Sequence, residues 1–207
     1  MGHRLIIGVD FDNTLVSYDD LMYRVALQRQ LIHADLPKRK QAIRDSIRQS
    51  AGDEAWHGVQ TLVYGERMDE ARLIEGVRRF FTQCRQHHTP VFIISHKTEW
   101  TEADGKRVNL WTAATDWMTQ QGFFASEGLG LSQANVHFEP TRADKVARIR
   151  RLGCTHFIDD LEETFREATF PSHVEQILYV SQGQVSTLPR ANVFTTWKGI
   201  SDYFFSA

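Results

Sequence analysis

Five short apolar runs, at residues 5–9, 91–94, 135–138, 156–158 and 176–180, set the strongest limit on what this chain can fold into. Each is brief, rich in Val, Ile or Phe, and apolar toward both faces, the pattern of strands buried inside a parallel sheet. Helical stripes separate them. Leu73, Ile74, Val77, Phe80, Phe81 and Cys84 recur at three-and-four spacing. So do Leu110, Trp111, Ala114, Trp117 and Met118, and again Val146, Ile149 and Leu152. Gly122 and Gly153 stand where the second and third helices should end. Strands alternating with helices predict an α/β fold, a doubly wound, Rossmann-like parallel sheet of about five strands.

One segment breaks the alternation. Far more chain lies between the first run and Val91 than the dozen or so residues a crossover needs, roughly speaking. Residues 17–71 read as helical, with Leu21, Val25 and Ala26 in one stretch and Leu36, Ile43 and Ile47 in another. The expected organisation is a core of residues 1–16 and 72–207 with an inserted α-helical cap at 17–71. A length of 207 residues suits one domain with an insertion, and 42% apolar residues, with thirteen Phe and five Trp, supply a core. Residues 102–107 read as an exposed loop. The formal net charge of −2 gives no field that would draw nucleic acid or a membrane surface. The apolar run 5–9 is too short for a signal peptide or a span. Cys84 and Cys154 read as buried thiols, so a cytoplasmic protein is expected.

The first strand runs into "DFDNT", placing Asp10 and Asp12 two residues apart. Carboxylates that close resist joint ionisation, and a bound cation offsets the repulsion most simply. In a doubly wound sheet ligands bind beyond the carboxyl ends of the strands. The polar residues fall at those ends: Ser95 closes "VFIIS", Asp159 and Asp160 close "HFIDD", and Lys145 lies in the first turn after the third run. Mg²⁺ takes hard oxygens, commonly from one or two carboxylates together with substrate and water. A carboxylate is also a nucleophile toward phosphorus, and an ammonium and a hydroxyl stabilise phosphoryl oxygens. Singly, each residue has an ordinary role: Asp10 and Asp12 in a turn, Ser95 at a strand end, Lys145 on a solvated helix, Asp159–Asp160 capping a helix. Their joint order along the chain is what points to phosphoryl transfer.

"DFDNT" resembles the DxDxT signature of the haloacid dehalogenase-like (HAD) superfamily. Ser95 is similar to its second motif, Lys145 to its third, and the Asp159–Asp160 pair with Glu163 to its acidic fourth; "LIEGVRRFF" resembles the helix preceding the second motif. The resemblance implies that Asp10 attacks phosphorus and that Asp12 protonates the leaving oxygen and then activates water. It implies that Thr14, Ser95 and Lys145 hold the loop and the phosphoryl group. It also implies Mg²⁺ bound by Asp10, the Asp12 backbone carbonyl and Asp159, with Asp160 the supporting or alternative ligand. Dehalogenases of the superfamily lack the second acid of DxD, so Asp12 favours a phosphatase or phosphomutase, and the expected function is a Mg²⁺-dependent phosphomonoesterase acting on a small phosphorylated metabolite through an aspartyl-phosphate intermediate. A phosphomutase or phosphotransferase of the same superfamily, or a phosphate-binding protein without catalysis, is the alternative. A receiver domain would carry its phosphorylated Asp on the third strand, where Glu139 stands, and a dinucleotide site would show G-x-G-x-x-G after the first strand. Lys38, Arg39, Lys40, Arg44 and Arg48 form a basic run in the insert, and His96 adjoins Ser95. Oligomeric state is not written in these patterns.

Overall fold

The structure, a computed structural model, describes residues 4–103, 105–180 and 185–206. In chain order its strands are β1 (Ile7–Val9), β2 (Val16–Ser17), β3 (Arg72–Leu73), β4 (Val91–His96), β5 (Trp100–Ala103), β6 (Lys106–Asn109), β7 (Val136–Glu139), β8 (His156–Asp159), β9 (Glu175–Tyr179) and β10 (Asn192–Phe194). Its α-helices are α1 (Asp19–Gln28), α2 (Lys40–Thr61), α3 (Val77–Gln86), α4 (Leu110–Gln120), α5 (Arg142–Arg151), α6 (Glu162–Phe165) and α7 (Trp197–Phe205). They form two compact units: Met1–Leu15, Leu73–Lys97 and Gly122–Ala207 in the first, Val16–Arg72 and Thr98–Gln121 in the second.

The first unit is a doubly wound α/β layer. Its parallel sheet runs in the order β10-β9-β8-β1-β4-β7. From β1 the chain winds outward through β4 and β7, then returns to the other side of β1 for β8, β9 and β10. The winding therefore reverses between β1 and β8, where such sheets open a crevice for ligands. All five apolar runs are strands. A sixth, β10, lies at the sheet edge beside β9. It is three residues long, too brief for an alternation to declare itself.

Burial holds this unit together. Phe157, Leu178, Ile94, Ile149, Cys154 and Phe165 are buried in one cluster, and α5 packs on β4 and β7. Elsewhere in the unit α3 packs on α7, bringing Phe80 to 4.9 Å from the Trp197 ring. Helix α3 starts at Val77, later than the stripe beginning at Leu73 suggested, because Gly76 at its N-cap has a left-handed φ of 90°. Helices α4 and α5 end where expected, before Gly122 and Gly153 with φ of 74° and 65°. Gly8 is required for another reason: a Cβ there would sit 2.5 Å from Phe157 Cδ2 and 3.1 Å from Cys154 Sγ. Cys84 and Cys154 are buried free thiols, and burial pushes both up to about 12.

The second unit is mainly helical. Helix α1 packs on α2, and Tyr18 meets Tyr64 edge-on at 4.7 Å. Leu36 lies in the turn before α2, not on it, and Gly52 (φ 85°) interrupts α2 midway. The basic run is largely taken up by neighbouring side chains. Arg44 pairs with Asp45 and Arg48 with Asp53, Lys38 lies 3.8 Å from Asp20, and Lys40 lies over the Tyr64 ring. Residues 102, 103, 106 and 107 are not a loop, and Asp104 lies outside the described residues. They belong to an antiparallel hairpin of β5 with β6, in which Trp100 faces Asn109 and Thr101 faces Val108. Its exposed, charged positions hid the alternation. This hairpin and α4 group with 16–72, whereas the sequence division left them with the core. The reason is packing that periodicity does not specify. Thr61 Oγ1 lies 2.9 Å from Thr101 Oγ1, and the Trp117 indole donates to the Ala71 carbonyl at 2.9 Å. Gly65 lies against Val108.

Candidate active site

Parallel register brings the site residues to one edge. β1 lies between β4 and β8, with Val9 level with Ile93 and Ile158. The next residue on β1 is Asp10, whose N–H donates to the Ile158 carbonyl at 2.8 Å. Asp159 follows Ile158, and Ser95, 1% exposed, lies two residues beyond Ile93. Beyond Asp10 the chain turns sharply. Asn13 takes a left-handed φ of 59°, a conformation Asn tolerates better than most residues, and Leu15 N–H donates to the Phe11 carbonyl at 2.9 Å. The turn folds Thr14 back, its hydroxyl 3.5 Å from Asp10 Oδ2 and 3.4 Å from Asp160 Oδ1.

Lys145 is delivered by α5. Thr141 caps that helix, accepting from Asp144 N–H at 3.1 Å while its hydroxyl donates to the Asp144 carboxylate at 2.6 Å. One turn on, the buried Lys145 ammonium donates to Asp10 Oδ1 and Asp159 Oδ2, both at 2.6 Å. Its other flank lies over the Phe157 ring at 5.3 Å. Asp159 Oδ1 accepts from Leu161 N–H at 2.9 Å, at the start of α6.

The electrostatics follow from burial and like charge. Desolvation pushes Asp10 up to about 6; Lys145 pulls it down, and Asp159 and Asp12 push it further up. For Lys145, burial favours the neutral form, but Asp10 and Asp159 outweigh it and hold the ammonium above the usual lysine range. His96 is held below the usual histidine range by desolvation and by the charges of Lys145 and Arg142.

One carboxylate oxygen from each of Asp10, Asp159 and Asp160 lies within 4.8 Å of the others. These are hard donors, and the set fits a divalent cation such as Mg²⁺. Glu162 serves elsewhere: Thr187 hydroxyl and N–H, then Arg166, bond to it and push it down to about 2. Glu163 is not part of the acidic cluster found among the described residues.

Asp10, Thr14, Lys145, Asp159 and Asp160 are thus linked directly, and Ser95 reaches the same edge by register. Asp12 is engaged differently. Both its oxygens accept from Lys97 Nζ, at 3.0 and 2.9 Å. Lys97 did not emerge from the sequence reading, because a lysine after a strand reads as solvated. Here it is 5% exposed, since its N–H continues the β4–β7 pairing by donating to the Glu139 carbonyl at 2.9 Å. The readable signal was its position, two residues past Ser95 on a strand end where acids collect.

No protein-family model matches the chain, and no curated protein sequence matches it. Solved structures do. A haloacid dehalogenase-like family hydrolase from Streptococcus pneumoniae is 14% identical, with a TM-score of 0.65 over 99% of this chain and 100% of that one. A HAD family hydrolase from Deinococcus radiodurans, solved with bound phosphate and sodium, is 14% identical, with a TM-score of 0.61 over 97% and 95%. A predicted phosphoglycolate phosphatase from Haemophilus somnus is 13% identical, with a TM-score of 0.60 over 99% and 100%. The chain has the fold of HAD-superfamily hydrolases, a Rossmann-like core with additional helices. Among the described residues no helix is long and apolar enough to cross a membrane.

Proposed function

We propose that this protein is a Mg²⁺-dependent phosphomonoesterase acting on a small phosphorylated metabolite through an aspartyl-phosphate intermediate. The observation that carries the proposal is the cluster of Asp10, Asp159 and Asp160 beside Lys145, at the carboxyl ends of the strands flanking the reversal of winding. In this reading Asp10 Oδ attacks phosphorus, and the bond to the leaving oxygen breaks as Asp12 supplies its proton. Water, deprotonated by Asp12, then attacks the aspartyl-phosphate, releasing inorganic phosphate and restoring Asp10. Lys145, Ser95 and Thr14 donate to the phosphoryl oxygens and stabilise the charge that spreads over them. Asp10, Asp159 and the Asp12 carbonyl would hold Mg²⁺, with Asp160 supporting. The cation would contribute charge neutralisation, which the edge requires: four carboxylates, Asp10, Asp12, Asp159 and Asp160, face two ammoniums, Lys97 and Lys145.

The phosphate in the Deinococcus relative and the phosphatase description of the Haemophilus one support this reading over other uses of the fold. In this reading residues 17–71 carry the substrate selectivity, and the free thiols Cys84 and Cys154 accord with a cytoplasmic setting. The test is phosphate release from a panel of phosphorylated sugars, nucleotides and hydroxy acids with Mg²⁺. Turnover by the wild type and none by Asp10→Asn is expected. A folded wild type that releases phosphate from none of them removes the proposal.

A further inference from the structure

We infer that Lys97 is a positioning residue for Asp12, a buried two-point clasp that sets the direction of the acid's carboxylate. The inference rests on the phosphatase reading of Asp12. The two lysines of this edge divide the acids between them: Lys145 engages Asp10 and Asp159, while Lys97 bonds both oxygens of Asp12.

The clasp is rigid at its base. The Lys97 side chain is 4% exposed, against 25% for Asp12, so the lysine stem is packed while the acid reaches toward solvent. Its N–H is tied to the Glu139 carbonyl. Its ammonium also lies 5.7 Å from the centre of the Phe11 ring, which is fully buried and packs edge-on against Phe138 at 6.1 Å. Asp12 sits between Phe11 and the left-handed Asn13, where the chain turns after β1, and an aspartate carboxylate swings broadly about its terminal torsion. Two hydrogen bonds from one fixed ammonium remove that freedom. An acid–base group works only within hydrogen-bond reach of its target, so a fixed direction matters as much as its presence.

A structural role alone, neutralising a charge, makes different predictions from a positioning role. Lys97→Met and Lys97→Gln each remove the clasp and keep most of the side-chain volume, so either serves if the other fails to fold. Lys97→Arg offers two donors to the same carboxylate. The substrates are glycerol phosphate, whose alkoxide needs a proton, and p-nitrophenyl phosphate, whose leaving group scarcely does. Lys97→Met or Lys97→Gln should lower kcat on glycerol phosphate by about 10–100-fold, with KM changed less than about threefold and a smaller loss on p-nitrophenyl phosphate. Lys97→Arg should recover part of the loss. In an Asp12→Asn background the Lys97 substitution should cost little more, because both changes disable one unit. Equal losses on the two substrates, or a full further loss in the Asp12→Asn background, would overturn the inference. Crystal structures of wild type and Lys97→Gln provide a readout apart from activity. Asp12 should turn or lose order in the variant, and an unchanged carboxylate would overturn the clasp. If the wild type hydrolyses no phosphate ester, the phosphatase reading fails, and the Asp12 positions in the two crystals still decide the Lys97 assignment.

Discussion

Trp197 donates its indole N–H to the Thr14 carbonyl at 2.9 Å, across 183 positions of sequence, and both residues are fully buried. The bond ties the start of α7 to the turn that carries Asp12 and Thr14. Phe at position 197 would keep the ring's apolar contacts and leave the carbonyl without this donor. An unsatisfied buried acceptor costs about 1–3 kcal/mol, so Trp197→Phe should lower the stability measured by urea denaturation by that order. It should also lower the proposed phosphatase activity at temperatures where the variant remains folded. Stability within error of wild type would show that the bond contributes nothing.

Asp10→Asn separates catalysis from stability. Turnover should vanish, because an amide oxygen is a poor nucleophile toward phosphorus. The fold should hold, and at pH 7.5 without Mg²⁺ the variant should be at least as stable as wild type. The sign follows from the raised pKa: ionised Asp10 is held in a desolvated site beside Asp159 and Asp12, and Asn removes that penalty. Urea titrations of both proteins with and without Mg²⁺ check this, and a metal-free variant less stable than wild type would contradict the account.

Proton release should accompany Mg²⁺ binding near pH 6. Asp10 titrates at about 6 in the folded chain against an ordinary 3.8. A raised carboxyl pKa stabilises the fold below the unfolded value, and that contribution is lost as the pH rises through about 6. A cation bound to the carboxylate expels the proton, so calorimetric Mg²⁺ titrations at pH 6 should depend on the ionisation enthalpy of the buffer. At pH 8 the Asp10 contribution should disappear. Asp159→Ala should weaken the binding at both values.

Gly8→Ala should destabilise the core. The added methyl meets Phe157 Cδ2 at 2.5 Å and Cys154 Sγ at 3.1 Å, and overpacking of this kind costs about 1–3 kcal/mol. Because Phe157 also lies under the Lys145 ammonium, a displaced ring should reduce activity along with stability. Thermal melts and phosphate release on the same preparation measure both effects, and unchanged values for both would show that the ring accommodates the methyl freely.

The sequence by itself determined the strands and the acids at their ends. A run such as 91–94 is apolar on both sides, the pattern of a short strand buried inside a sheet, and in a parallel sheet the residue after such a run emerges at the ligand-binding edge. Asp10, Ser95 and Asp159 were legible for that reason, and Lys145 because its helix begins just after a strand. The tertiary structure alone decided which charge meets which. Lys97 looks solvated in sequence and is buried because β4 continues its pairing with β7, a contact between distant segments. That placement, not any local pattern, turned Asp12 to Lys97 and left Asp10 to Lys145. The Trp197–Thr14 bond, the short edge strand β10 and the packing of Trp117 on Ala71 likewise depend on long-range packing. Periodicity reports which face of an element is apolar; the partner that covers that face is chosen when the whole chain packs.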